Sequence, residues 1–144
     1  MSRVQDAVAT FKQGFSCSQA VFAAFSESLG LEREKALKIS QPFGGGMASL
    51  GKTCGAVTGA MLAIGLKYGR TRPEDEAAKQ KTYGLVRELL QRFEARHGSI
   101  VCRDLIGVDL SAPDGHKAGA ERGVFENLCP GFVADAAQIL DEIL

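Results

Sequence analysis

The chain of 144 residues carries no net charge at neutral pH, because 17 lysines and arginines balance 17 aspartates and glutamates. Its composition, 45% hydrophobic and 24% charged residues, is typical of a folded soluble protein and excludes an intrinsically disordered chain. The balanced charge gives no reason to expect nucleic acid or an anionic membrane as a partner. This length is typical of one domain, so we expect residues 1–144 to form a single one.

The N-terminal segment, MSRVQDAVATFKQGF, lacks the apolar core of a signal peptide. The longest apolar stretch, residues 56–66, is too short to span a bilayer. We therefore expect a cytoplasmic protein that does not span the membrane. In that reducing compartment, cysteines are more often metal-binding or catalytic than disulfide-bonded.

Helical periodicity dominates the first forty residues. Apolar residues three and four positions apart indicate a first helix, which the segment 14–16 ends. They are Val4, Ala7, Val8 and Phe11. We expect a second helix over residues 17–29 and a short third helix over residues 32–38.

A glycine-rich segment follows, and it separates the third helix from a central one. The run Gln41-Pro42-Phe43-Gly44-Gly45-Gly46 predicts a tight loop. A helix is expected over residues 52–68, with a small residue at every fourth position. These residues are Gly51, Gly55, Gly59 and Ala63. Small side chains at that spacing let a neighbouring helix pack closely, and they fit a homodimer contact equally well.

The remainder of the chain also favours helices. Thr71, Pro73 and the acids after them predict the start of a long helix that reaches about Arg96. We expect a short helical turn over residues 102–106, a polar loop with room for a little helix over residues 108–123, and a last helix over residues 131–144. No alternating strand pattern occurs. The predicted fold class is all-α, a compact bundle of about five to seven helices around the glycine-rich central helix.

Four cysteines stand at the predicted starts of helical segments. They are Cys17, Cys54, Cys102 and Cys129. A helix N-terminus carries a partial positive charge, which stabilises a thiolate and lowers the pKa of a thiol placed there. This shared placement predicts that the four thiols form one redox or metal site.

The sequence leaves several roles open for these cysteines. No local Cys-x-x-Cys pair is present, so a zinc or iron–sulfur site would have to be built from four separate helices. Alternatively, one pair cycles between dithiol and disulfide, or the cysteines only pack in the core of an interaction domain. Phe15, Phe43 and Phe125 lie near cysteines in sequence and fit a water-excluding shell or core packing. The two histidines, at positions 97 and 116, are candidate ligands, although solvated or capping roles are commoner.

A competing motif occurs at residues 46–53. Gly46-Met47-Ala48-Ser49-Leu50-Gly51-Lys52-Thr53 fits the letter pattern of a nucleotide-binding P-loop. A true P-loop follows a β-strand, whereas residues 38–43 include a proline and have no β-branched run. Nucleotide binding is therefore the weaker alternative, and the same glycines are explained by a turn that presents Cys54.

The order of these motifs resembles a family of four-cysteine proteins that is named for its C…CGAxxG…C…C pattern and described as redox-active. The resemblance rests on Cys17, the Phe43–Gly46 loop, the Cys54-Gly55-Ala56-Val57-Thr58-Gly59 motif, Cys102 and Cys129. It extends from about Phe15 to the C-terminus and includes all four cysteines.

The resemblance implies a small helical domain with a redox role and an unidentified redox partner, encoded near transporter genes. Related domains occur in split-Soret cytochromes, where an iron–sulfur centre accompanies haem. This chain has no Cys-x-x-Cys-His, so covalent haem is not expected. We predict the four cysteines as metal ligands or, without metal, as the redox residues, with support from the backbone of Gly44, Gly45, Gly46 and Gly55. The predicted cofactor is an iron–sulfur cluster or zinc.

Overall fold

The computed structural model describes residues 1–144, and it confirms the all-α prediction. It has nine α-helices, six of them of eight residues or more, a number near the predicted five to seven. The helices are α1 (Arg3–Lys12), α2 (Cys17–Ser26), α3 (Arg33–Ser40), α4 (Gly55–Tyr68), α5 (Glu76–His97), α6 (Cys102–Ile106), α7 (Gly115–Glu121), α8 (Val124–Asn127) and α9 (Cys129–Ile143). Short 3-10 helices cover Glu27–Leu29 and Gln41–Phe43.

The core lies where α4 and α9 pack against α1, α2 and α5. Its largest fully buried side chains include Phe25, Phe93, Ile64 and Leu140, each from a different helix. Gly55 and Gly59 let α2 and α4 approach each other closely. At Gly59, for example, an added Cβ would lie 2.6 Å from the Ser18 carbonyl oxygen. The predicted groove of small residues is therefore present, and α2 of the same chain fills it at Gly55 and Gly59.

The central helix begins later than expected. The prediction of a helix from residue 52 is wrong, since α4 starts at Gly55 with Cys54 as its N-cap. Gly51 accordingly lies in the preceding loop, with a left-handed φ of 70°. Thr53 instead forms an isolated antiparallel bridge with Val101, which ties the loop before α4 to the start of α6.

The other boundaries differ from expectation by a few residues. Asp75, rather than Thr71, caps α5, and its side chain accepts a hydrogen bond from the Ala78 N–H at 3.1 Å. Helix α9 begins at Cys129 rather than at residue 131. The polar loop after α6 contains α7, and it is followed by α8, where the sequence predicts no helix. None of the helices combines the length and the apolar character needed to cross a membrane.

Candidate functional site

All four cysteines lie at helix starts, as the sequence predicts. Cys17, Cys102 and Cys129 are the first residues of α2, α6 and α9, and Cys54 is the N-cap of α4. All four are free thiols. They line a single cavity of about 790 Å³, so helices that are distant in sequence bring them to one place.

Cys17 and Cys129 are the two thiols that influence each other most, because each is the largest cause of the other's pKa shift. A capping box fixes the start of α2. Ser16 is the N-cap, and its N–H donates to the Gln19 side-chain oxygen at 3.0 Å. The Gln19 amide then donates to the Leu37 carbonyl at 3.0 Å, which anchors this end of α2 to α3. The Ser16-x-x-Gln19 pattern is the sequence signature of this capping box.

Cys54 and Cys102 form a second pair, which backbone hydrogen bonds hold in position. The Cys54 N–H donates to the Ile100 carbonyl at 2.7 Å, and the Cys102 N–H donates to the Lys52 carbonyl at 2.6 Å. This register sets the two cysteines diagonally across the Thr53–Val101 bridge. Diagonal Cα atoms lie about 7–8 Å apart, beyond the range of about 4.4–6.8 Å found in disulfides. Typical diagonal geometry is therefore unfavourable for a direct Cys54–Cys102 disulfide.

The loop between α3 and α4 has an uncommon conformation. Five consecutive residues, Gly45 to Ser49, have positive φ, and three of them are not glycine. Left-handed conformations cost about 1–2 kcal/mol for each non-glycine residue. Hydrogen bonds within the loop stabilise them, because every N–H from Met47 to Lys52 donates to a carbonyl between Pro42 and Met47. The sequence predicts a tight loop here but not its left-handed backbone conformation.

The nucleotide-binding alternative lacks its structural basis here. A 3-10 helix, not a strand, precedes the loop at Gln41–Phe43. A P-loop holds phosphate with free backbone N–H groups, whereas those from Met47 to Lys52 are already paired. Lys52 and Thr53 also precede α4 rather than beginning it.

Glycines bring the loop against the cysteines. A Cβ at Gly46 would lie 2.7 Å from the Cys102 Cβ, and one at Gly55 would lie 3.2 Å from the Cys17 Cβ. A Cβ at Gly44 would lie 2.8 Å from the Ser16 Cβ. The glycines expected to support the site, including Gly45, do line the cavity. Their role as cofactor support stays a prediction.

Aromatic side chains complete the cavity wall, and sequence reasoning identified only some of them. Phe15 and Phe125 line the cavity as expected of a shielding shell, whereas Phe43 faces a separate apolar groove. Four further apolar residues line the cavity, although nothing in the local sequence marks them as site residues. They are Phe11, Phe132, Leu105 and Leu110. His116 lies on the same wall, while His97 pairs with Asp135 at 2.8 Å.

The pKa values of the four thiols are not uniformly lowered. The hydrogen bond to Cys129 and burial raise the pKa of Cys17. Burial raises the pKa of Cys54 to about 12, against an opposing effect of the Ala56 and Val57 N–H groups. Burial and the charge of Cys129 raise the pKa of Cys102 to about 11. Only Cys129 has a lowered pKa, because the Cys17 hydrogen bond outweighs burial. The expectation of lowered pKa values is therefore wrong for three thiols. Burial is the main cause for Cys54 and Cys102, and the side-chain interaction with Cys129, followed by burial, is the main cause for Cys17.

The raised pKa of Cys54 predicts alkaline destabilisation. Below pH 9 the thiol is protonated in both states, and as pH rises from 9 towards 12 only the unfolded chain ionises. We expect the difference in unfolding free energy between the wild type and Cys54→Ala to shrink by about 2 kcal/mol between pH 8 and 10.5. Urea denaturation of both proteins at each pH, with a reductant present, measures this difference in unfolding free energy. A difference that is constant over this pH range would contradict the buried, protonated thiol.

The four cysteines are chemically suitable metal ligands, but their side chains are not grouped around a common metal position in this conformation. Four thiols on one cavity are the donors that iron–sulfur clusters and zinc use. In this conformation, however, no three His, Cys, Asp or Glu side chains form a group that could hold a metal ion. A metal-bound form would require the thiols to move together, and both metal predictions stay predictions.

Comparison with known proteins identifies the family. A family model described as "Putative redox-active protein (C_GCAxxG_C_C)" matches residues 15–143. The description begins its central motif Gly-Cys-Ala, whereas this chain has Cys54-Gly55-Ala56, and both continue to a glycine three residues after the alanine. No curated protein and no solved structure matches the chain. Since the match covers nearly the whole chain and all four cysteines, the protein belongs to this four-cysteine family, whose description names a redox activity.

Proposed function

We propose that the protein is a thiol–disulfide redox protein in which Cys17 and Cys129 cycle between two thiols and a disulfide. The observation that carries this proposal is the placement of both thiols on one cavity, at the starts of α2 and α9, where each is the largest cause of the other's pKa shift. The family description supports the redox activity in general terms. Free thiols of this kind persist in a reducing compartment, so we place the protein in the cytoplasm.

The two thiols have different roles in this proposal. Cys129 begins a 15-residue helix and has the lowered pKa, so it is the attacking thiolate. Cys17 keeps its proton until the second step and is the resolving thiol. On oxidation the S–S bond forms, the Cys17 proton is released, and two electrons pass to an acceptor that enters the cavity. Cys54 and Cys102 remain thiols, held apart by the Thr53–Val101 bridge.

A metal-binding form is the second candidate, and the convergence of all four cysteines on one cavity favours it. The side chains that would hold an iron–sulfur cluster or zinc are Cys17, Cys54, Cys102 and Cys129. Such a group would supply electron transfer, for a cluster, or structural cross-linking, for zinc. Metal analysis and an ultraviolet–visible spectrum of anaerobically purified protein distinguish this form from the thiol form.

Titration of the reduced, metal-free protein with ferricyanide tests the thiol–disulfide proposal. We expect the wild type to take up two oxidising equivalents and to lose two hydrogens in its intact mass. Cys17→Ser and Cys129→Ser should each abolish this loss, whereas Cys54→Ser should retain it. An interaction domain with purely structural cysteines predicts no intramolecular disulfide in any of these proteins. Full two-electron oxidation of Cys17→Ser would refute the assignment of the pair.

A further inference from the structure

The cavity beside the cysteines is much larger than a four-thiol centre requires. Its volume is about 790 Å³. Sites for small organic molecules commonly have volumes of about 300–1,000 Å³, so this cavity has room for such a molecule next to the sulfurs. Any oxidant that reacts with the Cys17–Cys129 pair inside it must suit the lining.

That lining is mainly apolar and nearly uncharged. Its aromatic and aliphatic members include Phe11, Phe15, Phe125, Phe132, Leu105 and Leu110. Apart from the thiols, its ionisable side chains are Lys12, His116 and Glu126. One lysine and one glutamate among the lining residues offer no cationic cluster for a carboxylate-rich substrate. The lining therefore selects against a charged peptide disulfide and favours a neutral, largely apolar oxidant.

One part of the wall is flat and carries polar atoms. The His116 ring stacks on Phe125 with a centroid separation of 5.9 Å and an angle of 21°. The His116 Nε2 lies 3.1 Å from the Ser49 Oγ. When Nε2 carries the hydrogen and donates to Oγ, the serine hydroxyl is free to donate to a carbonyl oxygen of a ligand. A planar ring with carbonyl acceptors matches this wall.

We propose that the cavity binds a quinone and that the quinone is the two-electron oxidant of the Cys17–Cys129 pair. This inference rests on the thiol–disulfide function proposed above. The Cys129 thiolate adds to a ring carbon, forming a C–S bond. Cys17 then attacks the Cys129 sulfur, an S–S bond forms, and the C–S electron pair returns to the ring. The Cys17 proton and one proton from solvent reach the two oxygens, which gives a hydroquinone and a disulfide.

Duroquinone is a suitable probe, because its four methyl groups prevent a ring hydrogen from leaving and so prevent permanent alkylation. We expect anaerobic, reduced protein to consume one equivalent of duroquinone with saturable kinetics and to lose two hydrogens. The rate with glutathione disulfide, a charged peptide disulfide, should be at least about tenfold lower than the rate with duroquinone. Phe125→Leu should lower the ratio of quinone rate to ferricyanide rate about fivefold, because it removes the ring beneath His116. The matched control is Tyr83→Leu, which removes an exposed aromatic ring outside the cavity and should leave this ratio unchanged.

The outcomes separate this inference from the proposed function. If ferricyanide forms the Cys17–Cys129 disulfide but duroquinone does not, the quinone inference is wrong and the thiol–disulfide function stands. Glutathione disulfide reacting as fast as duroquinone, or non-saturable quinone kinetics, would also overturn it. If no oxidant forms this disulfide, both proposals fail. Circular dichroism of Phe125→Leu checks its fold, and the wild-type comparison of oxidants decides the inference even if that variant misfolds.

Discussion

Gly59→Ala is expected to destabilise the protein by about 2–3 kcal/mol, although alanine is the better helix former. The reason is the crossing of α2 and α4. The added methyl group would lie 2.6 Å from the Ser18 carbonyl oxygen and 3.1 Å from the Ser18 Cα. Backbone atoms cannot rotate away as a side chain does, so the two helices must separate. Because α2 carries Cys17, this separation also loosens the Cys17–Cys129 contact.

The same helix provides a matched control for this substitution. Gly65 also lies within α4, and a Cβ there would meet no atom within 4 Å. Gly65→Ala should therefore stabilise the protein by about 0.5–1 kcal/mol through helix propensity alone. Urea denaturation of both variants under reducing conditions measures the difference. Equal effects of the two substitutions would contradict the close packing of α2 against α4.

Gly46→Ala is the second substitution with a large expected effect, a loss of about 2–4 kcal/mol. Gly46 has a φ of 72°, and an added Cβ would lie 2.6 Å from the Lys52 nitrogen and 2.7 Å from the Cys102 Cβ. The variant therefore combines left-handed strain with a clash against the site. Since the loop or Cys102 must move, we also expect iodoacetamide to label Cys102 faster, as measured by peptide mass spectrometry.

Gly30→Ala separates these two causes. Gly30 has a φ of 87°, and a Cβ there would meet nothing within 4 Å. It should cost only the left-handed strain, about 1–2 kcal/mol, and leave the labelling of Cys102 unchanged. Faster Cys102 labelling in Gly30→Ala, or unchanged labelling in Gly46→Ala, would show that the loop does not set the position of Cys102.

Local sequence signals predicted much of the helical framework. The cysteines could be placed at helix starts because Pro130 favours the first turn of a helix and glycines interrupt the pattern before Cys17 and Cys54. Periodicity identified the longer helices because their buried faces repeat every three or four residues. The sequence does not predict the start of α4, because Lys52 and Thr53 are compatible with a helix. What excludes a helix there is the hydrogen bond that the Lys52 carbonyl accepts from the Cys102 N–H, together with the Thr53–Val101 bridge.

The pairing within the site was beyond sequence reasoning. Cys17 meets Cys129 only through the packing of α2 and α9, which have no local connection. The left-handed segment gives no sequence signal either, because residues of the types of Met47, Ala48 and Ser49 rarely adopt this conformation, and here hydrogen bonds within the loop stabilise it. Burial likewise depends on tertiary packing. For that reason the predicted direction of the pKa shift is correct for Cys129 alone, and there the cause is the Cys17 side chain rather than the helix start.

Disulfide mapping of the oxidised protein is the most direct measurement of the central claim. Reduced protein is treated with limiting oxidant, remaining thiols are alkylated, and peptides are analysed by mass spectrometry without reduction. We predict a Cys17 peptide linked to a Cys129 peptide, with Cys54 and Cys102 both alkylated. A Cys54–Cys102 linkage, or four alkylated cysteines after complete oxidant consumption, would contradict the claim that Cys17 and Cys129 are the redox pair.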